Sequence, residues 1–367
     1  MAPGLNDRWQ RLNGSARIGG VDLARGLAVI GMFAAHLLTT AEFWDWSDPS
    51  TWLFVVDGRS SILFATLAGV SVGLVTGGAV PFAADRMRTA RGRLAVRAGM
   101  LWLIGILLIL TGVPVYVILP AYALLFLLAL PFTALRSSAV LWAAAGIGAV
   151  MAFVQPVLNE LPLLYGPFGA EISAALGWNY PFPVWIAFVL AGLGIARADV
   201  RRLRTQLWML GAGTALAIVG YLEAVPPTDS TYLRQVLTAY PHSSGLYEVF
   251  GTGGFAIAVI GACLLLCRLT VLRMLVLPLR ATGAMPLTAY TAQLLVWAVV
   301  ALATIGDTGD LLAFRALEPF WPLTIGTLVG CTAWALLIGR GPLEWVLDRT
   351  AKIVVPARPR MVDRLIP

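Results

Sequence analysis

Apolar runs of about twenty residues, separated by short and mostly basic connections, recur along the whole of this chain. A helix needs about 20 apolar residues to cross a hydrocarbon core of roughly 30 Å. Ten segments meet or approach that length, at approximately 22–40, 59–77, 94–112, 115–134, 139–156, 181–196, 206–224, 247–267, 284–303 and 319–339. Between 94 and 134, Thr111-Gly112-Val113-Pro114 splits one long apolar region in two, because Gly and Pro interrupt helices. The expected fold class is all-α: a polytopic membrane helix bundle of about ten transmembrane helices. No polar stretch is large enough for a soluble domain. The chain therefore reads as an N-terminal segment over 1–20, one transmembrane domain over 21–340 and a basic tail over 341–367.

Charge placement gives an independent reading of the helix count. Only 12% of the 367 residues are charged, about half the share in soluble domains, and the mean hydropathy is +0.82. Lys and Arg collect in cytoplasmic loops because their translocation is disfavoured. With the N-terminus inside, one side gathers Arg8, Arg11 and Arg17, then the run Arg86 to Arg97, Arg136, the run Arg197 to Arg204, Arg268, Arg273 and Arg280, and the tail from Arg340 to Arg364. Outer loops keep only Arg234 and Arg315, with Arg25 and Arg59 at helix ends. Both termini are thus expected in the cytoplasm, and the chain in the cytoplasmic (inner) membrane as a multi-pass protein. The net charge of +7 then reflects inner loops facing anionic lipid headgroups and, on this reading, an anionic ligand; nucleic acid is not an expected partner. Outer segments 41–58, 157–180 and 225–246 carry Trp44, Trp46, Trp52, Tyr165, Trp178 and Tyr180, residues suited to headgroup depth. Cys263, Cys267 and Cys331 fall inside spans and read as apolar packing; with two histidines in the chain no metal site is expected.

The run 27–38 contains His36 and leads to Thr39-Thr40-Ala41-Glu42, so it reads as a retained first helix and not a cleaved signal. Ionisable residues at membrane depth are costly and are functional candidates by default. The first helix has three: Asp22, Arg25 and His36. At ~100° per residue they fall within about 60° of one another, along a rise of roughly 21 Å. Asp22 and Arg25, spaced i, i+3, pair at the inner end. His36 projects from the outer half, where an imidazole can accept a proton from an attacking hydroxyl or amine. A histidine merely hydrogen-bonded to a neighbouring helix is the alternative.

Residues 17–36, from Arg17-Ile18 through Asp22-Leu23-Ala24-Arg25-Gly26 to His36, resemble the opening of the transmembrane acyltransferase superfamily. That group includes heparan-α-glucosaminide N-acetyltransferase, the acyltransferase-three proteins and the YeiB-like proteins. The spacing of Arg25 and His36 resembles the acyltransferase-three pattern, whereas the glucosaminide enzyme carries its histidine in the loop after helix one. The loop 41–58 has none here. Arg59-Ser60-Ser61 through Gly69, Gly283 through Gln293, and Gly341-Pro342-Leu343-Glu344-Trp345 are similar to YeiB-like relatives. The resemblance implies transfer of an acyl group from cytoplasmic acyl-CoA, with acetyl-CoA the first candidate and no metal, to an extracytoplasmic glycan or small-molecule acceptor. It implies His36 as general base or acyl carrier.

Among further candidates, Arg88, Arg91 and Arg97 lie in an inner loop at 85–97, where guanidinium forks suit the phosphates of CoA. A purely topogenic loop would look the same. His242 and Glu248 enter span eight on the side of His36 and are candidates for the acceptor pocket, as are Arg59 and Ser60 at the start of span two. Tyr290 and Gln293, spaced i, i+3, suit substrate contact or interhelical hydrogen bonding equally. A membrane acyltransferase is the leading expectation. A small-molecule transporter with a midplane site and a non-catalytic membrane scaffold are the rivals, and a homo-oligomer stays open.

Overall fold

In lipid the backbone must satisfy its own hydrogen bonds, and every regular element among the described residues is helical. The structure, a computed structural model, describes residues 5–14, 17–45, 47–222 and 229–357. Trp46, the last two residues of the 206–224 span, and the tail arginines Arg358, Arg360 and Arg364 lie outside the described residues.

Ten apolar helices form the bundle: α1 Gly19–Leu37, α2 Arg59–Val75, α3 Ala84–Ile109, α4 Leu119–Ala129, α5 Ser137–Asn159, α6 Phe182–Arg197, α7 Leu203–Leu222, α8 Leu246–Leu266, α9 Pro286–Thr304 and α10 Phe320–Leu337. Eight are long and apolar enough to cross a membrane, while α4 (with the 3-10 turn Leu130–Ala134) and α6 are shorter. The ten expected spans are therefore present as helices, and the polytopic bundle is borne out.

One boundary moved substantially. The inner loop expected over 85–97 is helical, the first half of α3. No proline interrupts Ala84–Ile109, Asp85 stands in the first turn, and Arg88 pairs with Asp85 at i, i+3. A helix of this length extends about 39 Å, past a core of roughly 30 Å, so its charged turns project beyond the apolar slab. The expected break beyond it occurs at Gly112, with φ +72°.

The first two helices run in opposite directions. Arg25, early in α1, donates to Ser71 Oγ, late in α2, at 2.7 Å. At the other end Gly31 of α1 rests on Ser60 at the start of α2, with no room for a Cβ. Side chains satisfy the backbone where helices stop. Arg197, buried at the end of α6, donates to the carbonyls of Gly73, Gly78, Thr76 and Thr133 and to Thr76 Oγ1, closing the ends of α2 and of the Leu130–Ala134 turn. Arg280 is equally buried and donates to the carbonyls of Leu12 and Arg273, fastening the N-terminal helix Leu5–Asn13. The end of the bundle holding Arg17, Arg197 and Arg280 is called here the basic end, and that holding His36 the histidine end.

The helix Pro342–Val354 is fastened to α3 by Asp348, which accepts from Arg97 at 2.8 Å and pairs with Arg340 at 2.8 Å and Lys352 at 2.7 Å. Burial acts to raise its carboxyl pKa, but Lys352 and Arg340 outweigh that and lower it to about 2. A carboxyl held below its ordinary value stabilises the docked helix above that ordinary value, near 4, and loses this contribution as pH falls toward 2. Spin labels on α3 and on Pro342–Val354 should therefore give one narrow distance from pH 5 to 7 that broadens as pH approaches 2. Asp348→Asn should broaden it already at pH 7.

Candidate functional site

At the basic end, the first turns of α1 hold a buried ion cluster. Asp22, 2% exposed, accepts from Arg17 Nε at 2.5 Å and from Arg25 Nη1 at 3.2 Å. Arg25 is thereby held between Asp22 and Ser71 and points into the bundle. Arg17 lines a cavity of about 360 Å³ together with Arg8, Arg11, Arg340 and Glu344. Four guanidinium groups and one carboxylate converge there, and the carboxylate is already engaged. Glu344 accepts from the backbone N–H of Leu287 and Thr288 at 2.9 and 3.1 Å and from Thr288 Oγ1 at 2.6 Å, capping α9 from outside its own helix. The four arginines outnumber the one carboxylate in this concave site, with Arg17 and Arg340 also paired to Asp22 and Asp348, and guanidinium groups so gathered suit an anion.

At the histidine end, a second cavity of about 160 Å³ is lined by His36, Asp57, Ser60, Ser61, His242 and Arg315, among others. His36 stands on the last turn of α1. Its carbonyl accepts two hydrogen bonds from Arg315 (3.1 and 2.9 Å), which close that helix end, while its buried Nδ1 has no partner among the described residues. Ser61 is tied to its own helix start, donating to Gly58 O at 2.8 Å. The His242 loop is held from below by Glu248: its carboxylate accepts from the N–H of His242 and of Ser244, both at 2.6 Å, and from Ser243 Oγ at 3.2 Å. Both His242 and Ser244 have positive φ, 62° and 57°. Non-glycine residues sustain that backbone only where surrounding contacts over-determine it. Asp57 Oδ1 lies 3.6 Å from His242 Nε2, and the Tyr180 ring meets the imidazole edge-to-face at 5.8 Å.

The structure thus brings His36, Ser60 and His242 together and places Glu248 beneath them as the clamp of the loop. It sets Asp22 and Arg25 about 21 and 16 Å away along α1, too far to touch the same atom. Arg59 is turned from the cavity, donating to Tyr221 Oη and Phe54 O, both at 2.9 Å, and lying over both rings. Arg88, Arg91 and Arg97 do not line the basic cavity: Arg88 pairs with Asp85, Arg91 donates to Thr133 Oγ1 at 2.9 Å, and Arg97 pairs with Asp348. Tyr290 and Gln293 diverge. Tyr290 accepts from Ile118 N–H at 3.4 Å, whereas Gln293 is 1% exposed with neither amide atom partnered among the described residues. Gln293 lines a groove of about 460 Å³ between α9 and α10 that begins at Met285 and Thr288, beside the basic cavity.

Sequence reasoning missed Asp57, Arg315, Arg8, Arg11 and Arg340 as site residues. Arg315 had a signal, being one of two basic residues in the outer loops; Asp57 stood in an acidic loop that carried no motif.

The helical bundle thus has an arginine-lined cavity at one end and a cavity lined by both His36 and His242 at the other. Residues 17–223 match the family model described as heparan-alpha-glucosaminide N-acetyltransferase, catalytic, and the chain belongs to this family of membrane acyltransferases. Residues 172–353 match a second model, described as protein of unknown function (DUF418). The resemblance read from Arg17 to His36 and from the YeiB-like segments is borne out by both. No curated protein and no solved structure matches the chain. His36 lies in the segment of the first match, His242 only in that of the second.

Removing the Glu248 clamp should release the His242 loop while leaving the bundle folded. In Glu248→Ala, amide exchange over residues 240–246 should accelerate at least about tenfold, since each charge-assisted bond contributes roughly 1.5–3 kcal/mol, while exchange in α1 and α2 stays as it was.

Proposed function

We propose that the chain transfers an acyl group from cytoplasmic acyl-CoA, with acetyl-CoA the first candidate, to an acceptor on the opposite side of the cytoplasmic membrane. The observation that carries this reading is the pairing of an arginine-lined cavity with a histidine-lined one at opposite ends of one bundle. In this reading the basic end faces the cytoplasm, as the distribution of arginines favours. Arg8, Arg11, Arg17 and Arg340 take the nucleotide phosphates of CoA, a role the sequence had suggested for the Arg88 to Arg97 run. Asp22 holds Arg17 and Arg25 against this site.

The pantetheine arm is thin, amide-bearing and uncharged. A path for it is supported by buried polar atoms that lack partners among the described residues: the amide of Gln293, then Trp297 Nε1 one turn on, then His36 Nδ1. Trp297 stacks on Phe314 at 4.6 Å, and the next residue, Arg315, holds the carbonyl of His36. The thioester would arrive at His36, which takes either a proton or the acyl group itself. The acceptor, a glycan or other small hydroxyl- or amine-bearing molecule, enters from the histidine end. A transporter reading calls for broken helices meeting at the midplane, whereas the break before α9 lies at Met285, at the basic end, capped by Glu344. A scaffold reading calls for a fully paired His36, and its Nδ1 is not.

Calorimetry and thiol release on the purified protein in nanodiscs test this. Acetyl-CoA should bind, and Arg11→Gln/Arg340→Gln should weaken binding about 10- to 100-fold, the range for lost guanidinium–phosphate bonds. His36→Gln should bind acetyl-CoA normally and release CoA at least about 100-fold more slowly. Absence of acyl-CoA binding by the native chain would overturn the reading, and an undiminished rate in His36→Gln would remove His36 from it.

A further inference from the structure

The histidine end holds two imidazoles in unlike settings, and the reading above uses one. His36 faces the bundle interior, its Nδ1 buried. His242 stands between two cavities: the 160 Å³ space it shares with His36, and an outer vestibule of about 460 Å³ lined by Gln155, Asn159, Tyr165, Trp178 and Asn179. Among the described residues, this vestibule is lined by no charged side chain apart from His242 itself when protonated. Gln155 is 1% exposed and its Oε1 has no partner among the described residues. A molecule passing from the vestibule toward His36 meets His242 on the way.

Three features fix that imidazole. Glu248 holds its backbone in the left-handed region, Tyr180 packs edge-on against the ring, and Asp57 faces Nε2. The Asp57–Gly58 turn is packed onto Pro241: a Cβ on Gly58, whose φ is +65°, would stand 3.0 Å from Pro241 Cβ. Asp57 Oδ1, 3.6 Å from Nε2, stands on the side of the ring where a carboxylate favours the proton on Nε2 and leaves the lone pair on Nδ1, as in other proton-accepting histidines.

We propose that His242, oriented by Asp57, is the proton-transfer residue for the acceptor, and that His36 serves the donor side. This rests on the acyltransferase reading. As the acceptor's oxygen or nitrogen forms its bond to the thioester carbon, its proton passes to His242 Nδ1. The C–S bond breaks with its electron pair going to sulfur, and His242 returns the proton so that CoA leaves as the free thiol. Asp57 touches neither reactant and is a positioning residue. The groups facing His242 are Asp57 from the turn before α2, Glu248 from α8, Tyr180 from the segment before α6, Tyr116 from the connection before α4, and His36 and Arg315 across the cavity. Burial pulls the His242 pKa down, but the nearby Asp57 and Glu248 carboxylates outweigh it and leave the pKa above its ordinary value.

The chain has only two histidines, so histidine-labelled protein in nanodiscs gives two imidazole signals, assigned with His36→Gln. The His242 signal should titrate above about 6.5, and the isosteric Asp57→Asn should lower its midpoint by about half a unit or more; a midpoint that does not move overturns the pairing. With acetyl-CoA and an amine or hydroxyl acceptor, His242→Gln should lower kcat at least about 100-fold while acetyl-CoA binding is unchanged. Asp57→Asn should move the acid limb of the pH–rate profile to lower pH, and Asp57→Glu should partly restore it. An unchanged kcat in His242→Gln overturns the catalytic role and leaves the acyltransferase reading standing. A native chain that never turns over acyl-CoA overturns both, and the titration still decides the pairing of Asp57 with His242.

Discussion

Backbone amides and carbonyls stranded at membrane depth cost several kcal/mol each, and the way this chain answers that cost governs where its charges sit. Every helix must stop, turn and restart at the ends of the bundle, and each stop leaves unpaired groups. Arg197 closes the ends of α2 and of the Leu130–Ala134 turn, Arg280 fastens the N-terminal helix, Arg315 closes α1, Glu344 caps α9, and Glu248 holds the turn before α8. A single guanidinium serves several carbonyls because its five donors form a rigid fork. Most buried charge in this protein is therefore backbone chemistry by other means.

That use separates two populations of buried polar residues. Those with carbonyl or amide partners explain themselves. The remainder include Asp22 and Arg25 in their ion cluster, and His36 on α1, Thr291, Gln293 and Trp297 on α9, Gln155 on α5 and Thr324 on α10, each with a buried atom that has no partner among the described residues. Such atoms are expensive unless something occupies them. Those on α1 and α9 belong to helices that meet at the histidine end through Phe314 and Arg315. In the acyltransferase reading these are the atoms that a linear, amide-bearing donor would engage.

The helical bundle was legible because membrane insertion writes itself locally, in runs of apolar residues and in the sidedness of arginine. The α3 boundary was not, because charge was read as loop where a helix simply outgrew the membrane; Arg88, Arg91 and Arg97 decorate that projecting half. The rule that a charge at membrane depth marks function picked out Asp22, Arg25 and His36, while Glu248 and Arg59 were picked out only for standing at span starts on the side of His36. The first proved to clamp a turn and the second to lie against Phe54 and Tyr221. Capping partners are set by tertiary approach, so a single sequence holds no pattern that distinguishes them.

The same limit hid Asp57. Alone in sequence it is one of four acidic residues in an acidic loop. Its meaning comes from a partner 185 positions later, which reaches it only because the Asp57–Gly58 turn and the Pro241–His242 turn pack against one another. Glu248 rigidifies one side of that meeting and the start of α2 the other, so the distance between carboxylate and imidazole is set by the scaffold and not by the two side chains themselves. A geometry maintained by a buried carboxylate and two strained backbone positions costs stability, and a loop needing only to join two helices has no use for it. Orientation of an imidazole at the mouth of a cavity is a use that accounts for that cost.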